Sequence, residues 1–319
     1  MLVLSKADVQ ALLDIDALID ALAAAHVELS AGRVSMPSRV AATVPERDGF
    51  LAAMPAYLPS AGVLTSKLVA LFPHNVDRPT HHAVIVAFDP ATGEPAALLD
   101  GEVITAARTG AGSALSARLL AREDAEVLAI LGTGVQARSH AIAVSRVRPI
   151  RELRVAGRDP AKAAKLAAEL DDLLPQEVRA AETYREAMDG AAIVCATTHA
   201  TDPVVRREWL SPGTHVTSVG FNRAGREVDE ATVAEALVCV ESRQAALAPF
   251  PAGSNELLQS GVQIHAELGE LVAGTKPCRT APDQLTLYKS VGVAVQDAAA
   301  AALVLAAAHQ SGHGTEIGL

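Results

Sequence analysis

Apolar side chains recur at helical spacing near the start of the chain. Val9, Leu12, Leu13, Leu18, Ile19 and Leu22 fall on one stripe, which predicts an amphipathic helix over residues 8–31. From residue 38 to residue 100 the texture changes to short β-like runs, notably 62–72 and 82–88. Between two of these runs, Asp89-Pro-Ala-Thr-Gly-Glu-Pro95 has the Pro and Gly of a hairpin turn. The first third therefore reads as an antiparallel α+β unit. A helix over roughly 102–121 follows, and then strand-like and helix-like segments alternate. Strands are expected at 127–131, 153–156, 192–196, 215–219 and 236–240, and helices near 136–146 and 160–172. This alternation predicts a parallel, doubly wound sheet. The Ala-rich stretch 291–309 reads as a final helix. The fold class is thus α/β, with the doubly wound domain over 116–295. An α+β domain covers 1–115 and is completed by the C-terminal helix within 296–319.

Composition narrows the partners. Of 319 residues, 50% are hydrophobic and 20% charged, enough for a buried core and unlike a disordered chain. Aromatics make up 3% and the formal net charge is −10, which argues against a nucleic-acid partner. No apolar run reaches the roughly 18 residues of a membrane span. Lys6, Asp8, Asp14, Asp16 and Asp20 interrupt any signal-peptide core. Cys195, Cys239 and Cys278 are far apart and form no CxxC pair, so a reducing compartment and a cytoplasmic location are expected. No metal site is expected. His81 and His82 would point to opposite faces of a strand, and His74, His199, His215 and His265 show no HxH or HExxH spacing. His82 is either a pocket residue beside Thr80 or a surface histidine. Gly-x-Ser-x-Gly is absent, and Trp209 and Tyr288 read as core packing.

The chemistry begins at Gly132-Thr133-Gly134-Val135-Gln136-Ala137. This GxGxxA directly follows one expected strand and opens the next helix. Gly132 permits the tight turn, Gly134 leaves room for a pyrophosphate, and Ala137 lets helix and sheet pack closely. The helix N-terminus offers free backbone N–H groups to the phosphates. A second strand about 20 residues on completes the signature of a Rossmann dinucleotide domain. That strand ends at Gly157-Arg158-Asp159, where a domain preferring NAD usually carries an acid for the ribose 2′-hydroxyl. Gly157 with Arg158 favours NADP(H), with NAD(H) as the alternative. Asp159, one or two positions late, is a rival candidate for the ribose, but it reads rather as the cap of the helix starting at Pro160.

Many stretches, in order over nearly the whole chain, resemble the ornithine cyclodeaminase/mu-crystallin family. They are Met36-Pro-Ser-Arg39, Ser66-Lys-Leu-Val-Ala-Leu-Phe-Pro73, Arg78-Pro-Thr80, Phe88-Asp-Pro-Ala-Thr-Gly-Glu-Pro95 and Leu99-Asp-Gly101. They continue with Thr105-Ala-Ala-Arg-Thr-Gly-Ala111, Gly132-Thr-Gly-Val-Gln136, Ser218-Val-Gly220 and Lys289-Ser-Val-Gly292. The resemblance implies a homodimer whose N-terminal part serves substrate binding and dimerisation, with the C-terminal helix returning to it. By matching motif, Arg39 and Arg108 grip a substrate carboxylate, for which a guanidinium is a suitable two-pronged donor; taken singly, without the motif, each Arg reads rather as a solvated surface charge. Lys67 interrupts an apolar strand. It lies either on a face open to water or in a pocket that lowers its pKa for proton transfer, and the resemblance favours the pocket. Thr80 is a further substrate-binding candidate. The cofactor-binding candidates are Thr109, Gly132, Thr133, Gly134, Val135, Gln136, Arg158, Thr197, Val219 and Ser290.

One departure bears on the reaction. Cyclodeaminases of this family carry a catalytic Asp after Ser218-Val-Gly220, and here that position is Asn222. An amide cannot accept a proton as a carboxylate does. Glu227 and Asp229 follow and are expected to cap the next helix. The expected activity is therefore NAD(P)H-dependent reduction of a small cyclic α-imino acid such as Δ1-pyrroline-2-carboxylate, or reductive amination of an α-keto acid. An ornithine cyclodeaminase recycling NAD is the second reading, and a non-catalytic NADP-binding protein of the mu-crystallin type is the third.

Overall fold

The computed structural model describes residues 1–220 and 225–318. It divides into two compact units, residues 1–108 with 292–319, and residues 109–291. The chain begins with β1 (Leu2–Leu4), α1 (Lys6–Leu12) and α2 (Ile15–Ser30). The single helix expected here is thus two. Asp14 adopts an extended conformation and its side chain accepts from Ala17 N–H at 2.8 Å, so it stops one helix by capping the next. The strands β2 (Val40–Val44), β3 (Gly49–Leu58), β4 (Val63–Leu71), β5 (His81–Phe88) and β6 (Pro95–Asp100) then form an antiparallel meander. Because β1 pairs parallel with β6, the sheet is mixed rather than antiparallel throughout.

Side chains in this sheet alternate between faces, as a period of two requires. Ala52, Met54 and Ala56 on β3, Thr65 and Lys67 on β4, and Ala83 and Ile85 on β5 are buried. On the other face Leu51 and Val84 are 48% and 40% exposed. The position of Lys67 along β4 therefore puts it on the inner face. Helix α3 (Gly101–Leu120) follows β6.

The second unit is the expected strand–helix alternation. Its elements are β7 (Val127–Leu131), α4 (Val135–Val144), β8 (Glu152–Ala156), α5 (Pro160–Asp171), β9 (Glu177–Ala180), α6 (Tyr184–Met188), β10 (Ile193–Ala196) and β11 (His215–Ser218). They continue with α7 (Glu230–Glu235), β12 (Leu237–Val240), α8 (Arg243–Ala246), α9 (Asn255–Ser260), β13 (Ala266–Glu267), α10 (Leu268–Val272) and β14 (Thr286–Lys289). The strand order is β13-β12-β14-β11-β10-β7-β8-β9, with every described pairing parallel. Its central strands are buried end to end, which fits sheets covered on both faces. The strand order reverses between β7 and β10, the switch point where doubly wound sheets open a crevice at their C-terminal edge.

The chain then returns to the first unit as α11 (Ala294–Ser311) and β15 (Thr315–Glu316). β15 pairs antiparallel with β1, and α11 packs on α2, β3 and β4. Its run of small Ala side chains lets the helix lie close to the sheet, directly over the face that carries Lys67. Among the described residues no helix is long and apolar enough to cross a membrane.

Candidate active site

The inner face of the first unit holds a buried set of charges. Lys67 is 2% exposed, and its Nζ lies 2.9 Å from both carboxylate oxygens of Asp297 in the first turn of α11. Arg108 donates from Nε to Asp297 at 3.2 Å and from Nη1 to Gln296 at 3.0 Å. Arg39 is half-buried and donates to the Gly292 carbonyl. At Gly292 φ is +72°, and a Cβ there would fall 2.7 Å from Arg108 Nη1; only glycine suits this corner. Arg39, Lys67 and Arg108 are thus brought together, with Lys67 and Arg108 on one carboxylate and Arg39 close enough to act on Lys67. The imbalance suits an anionic guest.

Electrostatics make Lys67 titratable near neutrality. Burial pushes its pKa down to about 7; Asp297 pulls it upward, while Arg108 and Arg39 press it further down. His81 stands on the same face and is held down to about 4, first by burial and then by Lys67 and Arg108. It is therefore neutral at pH 7. His82 points the other way, its Nδ1 2.8 Å from Glu102 Oε1 on the exposed side; the strand parity that brings His81 in sends His82 out. Thr80 is exposed and its carbonyl accepts from Phe72 at 2.8 Å. Among the described residues it does not join the charged cluster.

In the second unit the glycine turn has the shape its motif demands. Gly132 has φ +125°, and a Cβ there would meet Thr197 Oγ1 at 2.6 Å and the Thr197 carbonyl at 2.8 Å. Thr197 itself donates to Leu131 O at 2.8 Å. Gly134 is the N-cap of α4 with no side chain capping the helix, so the helix start stays open. Thr133 is half-buried, Val135 is 71% exposed, and Ala137 is fully buried against the sheet. Gln136 Oε1 is buried with no hydrogen-bond partner among the described residues. Thr109, on α3, is buried. A Cβ at Gly157 would lie 2.5 Å from Thr133 Cγ2, so an acid there would need Thr133 to move. Arg158 is exposed beside it, and Asp159 caps α5 through Ala161 and Lys162 N–H. These residues fit a dinucleotide: a turn that brings backbone close, and an open helix start.

Further along the same sheet edge a cavity is lined by Val219, Gly220, Glu227, Glu256, Lys289 and Ser290 among others. Glu227, expected as a helix cap, is buried instead. Its carboxylate accepts from Thr198 Oγ1 at 2.7 Å, Ser218 Oγ at 2.8 Å and Gly220 N at 2.9 Å. Only Asp229 caps α7, through Thr232 N–H at 2.9 Å. Lys289 Nζ lies 2.8 Å from Glu256 Oε2 and donates to Ser218 Oγ at 2.9 Å and Gly220 O at 3.0 Å. Asn222 lies outside the described residues.

Sequence reasoning missed Asp297, Gln296, His81, Lys289, Glu256 and Glu227 as parts of these networks. A signal existed for three of them. Gln296 and Asp297 interrupt an Ala-rich helix, and Lys289 interrupts an apolar strand, as Lys67 does.

The model of the Ornithine cyclodeaminase/mu-crystallin family matches residues 1–312, and the chain belongs to that family. It is 39% identical over 276 residues to the ketimine reductase mu-crystallin of Mus musculus, covering 86% of this chain and 85% of that protein. The Thermococcus litoralis Δ1-pyrroline-2-carboxylate reductase in complex with NADH and L-proline superposes with a TM-score of 0.95 at 38% identity, covering 99% of this chain and 100% of the other. An archaeal alanine dehydrogenase dimer with bound NAD gives a TM-score of 0.92 at 29% identity, with 100% and 99% covered.

Proposed function

We infer that this chain is an NAD(P)H-dependent reductase of a small cyclic α-imino acid, of the Δ1-pyrroline-2-carboxylate kind. The observation that carries the reading is the buried Lys67–Asp297–Arg108 cluster with Arg39 beside it. When bound, the reduced nicotinamide supplies a hydride to the imine carbon. The protein's own residues do the rest. Arg39 and Arg108 hold the substrate carboxylate by charge-assisted hydrogen bonds. Lys67, whose pKa of about 7 lets it carry or release a proton near neutral pH, protonates the nitrogen. Asp297 keeps the ammonium and the Arg108 guanidinium in place. The burial of these groups excludes water and strengthens each interaction.

NADP(H) is the favoured cofactor, because Thr133 occupies the corner where an acid would clamp the ribose and Arg158 is free to approach a 2′-phosphate; NAD(H), carried by the archaeal relatives, is the alternative. The exposed apolar face with Leu51 and Val84 fits a homodimer, as in the archaeal alanine dehydrogenase. The same site would serve reductive amination of an α-keto acid with ammonia.

The test is a spectrophotometric assay of purified protein with NADPH or NADH and cyclic imino acids, with ornithine and catalytic NAD run in parallel. Oxidation of the reduced cofactor by the imine is expected, and Lys67→Ala should abolish it while dinucleotide binding persists. Proline from ornithine at a comparable rate would overturn the reductase reading. Inertness in both assays alongside tight cofactor binding would favour the non-catalytic binder.

A further inference from the structure

Ser290 follows β14 directly, and its N–H donates to Ser218 O at 2.9 Å, extending the ladder with β11. Its Oγ donates to Glu241 Oε1 at 2.6 Å, and Val291 N–H donates to Glu241 Oε2 at 3.1 Å. Glu241 follows β12 and is fully buried. A hydroxyl has one proton and two lone pairs, and an ionised carboxylate only accepts. With its proton committed to Glu241, Ser290 can offer a ligand in the cavity it lines nothing but an acceptor.

The sheet order says which ligand group arrives there. β14 is separated from β7 by β11 and β10, on the side opposite β8. At a strand spacing of about 4.8 Å, this places Ser290 roughly 14 Å along the C-terminal edge from the glycine turn. The two halves of a dinucleotide lie to either side of the switch point. Arg158, after β8, marks the adenosine side, so the nicotinamide half falls toward β14.

We propose that Glu241 is a positioning residue that locks the Ser290 hydroxyl as an acceptor for the amide N–H of the nicotinamide carboxamide. The proposal rests on the reading of the second unit as the dinucleotide unit. Glu241 touches no ligand itself; it works by removing the donor alternative from Ser290.

Calorimetric titration with the oxidised dinucleotide, its 3-acetylpyridine analogue and ADP-ribose separates the cases, since a methyl replaces the amide NH2 in the analogue. The native protein should prefer the carboxamide about five- to tenfold, the worth of one neutral hydrogen bond. In Glu241→Gln the side-chain amide can donate to Ser290, freeing the hydroxyl proton, and the preference should fall toward one. Ser290→Ala should abolish the preference independently, with ADP-ribose affinity retained. A native ratio near one overturns the proposal, as do variants that weaken all three ligands equally and leave the ratio unchanged, the outcome of a merely structural role. Failure of the native protein to bind ADP-ribose or either dinucleotide would overturn the underlying dinucleotide reading as well.

Discussion

Replacing Asp297 with Asn removes a carboxylate that lies 2.9 Å from Lys67 Nζ and 3.2 Å from Arg108 Nε while keeping nearly the same side-chain volume. Two unit charges about 3 Å apart interact by roughly 6 kcal/mol at an effective dielectric of about 20. Burial opposes that attraction and exceeds it, which is why Lys67 sits at about 7 and not at its ordinary 10.5. Loss of a nearby opposite charge commonly moves a pKa by about 1–3 units, here downward, because the carboxylate favours the charged ammonium. Reduction draws a proton from Lys67, so native kcat/KM should fall as pH rises through about 7. In the variant the same fall should begin about 1–3 units lower. At pH ~7.5 a shift of about one unit cuts the protonated fraction from roughly a quarter to roughly 3%, an eightfold loss of rate. Oxidation of the amino acid needs the neutral amine, and its rising limb should move to lower pH by the same amount. The pH profiles of kcat/KM in both directions provide the assay, with thermal unfolding as control. Removing one partner of a buried ion pair typically costs about 3–5 kcal/mol, and here less, because Lys67 can shed its proton. A folded variant whose limb stays at about 7 in both directions would refute the coupling of Asp297 to the proton site.

Two further substitutions test the second unit. Gly132→Ala meets a φ of +125° and the Thr197 hydroxyl at 2.6 Å; it should weaken dinucleotide binding by about tenfold or more, and unchanged affinity by fluorescence titration would show that the turn tolerates a side chain. Arg158→Ala should raise KM for NADPH about tenfold, the worth of one charge-assisted hydrogen bond, and leave KM for NADH nearly unchanged; equal effects on both would remove Arg158 from 2′-phosphate recognition.

Much of the second unit was legible because its strands are apolar runs set between helices of clear period. The expected strand at 127–131 coincides with β7, and helix 160–172 ends one residue beyond α5. β9 and β14 escaped notice because Glu177-Val-Arg-Ala180 is a short, half-exposed edge strand and Thr286-Leu-Tyr-Lys289 carries a lysine whose partners come from elsewhere in the chain. Local pattern reaches its limit there. Lys67 stands out as a charge in an apolar strand, but Asp297, which explains it, is 230 residues away. Glu227 shows a related limit: it lies near a helix start, and its acceptor role depends on Ser218 and Gly220 folding back onto it. The His81/His82 choice, by contrast, needed only the strand's register against β4.

The first unit is closed by segments far apart in the chain, with β15 beside β1 and α11 over β3 and β4. During synthesis the ribosome releases the segment bearing Lys67 and Arg108 long before the one bearing Asp297. Until the last helix emerges, those cations have no carboxylate and the face that buries them has no cover. The proton-handling centre is therefore completed only after residues 109–291, one uninterrupted stretch, have left the ribosome. A chain cut before residue 292 would keep Lys67 and Arg108 but lose the Asp297 carboxylate that both of them contact.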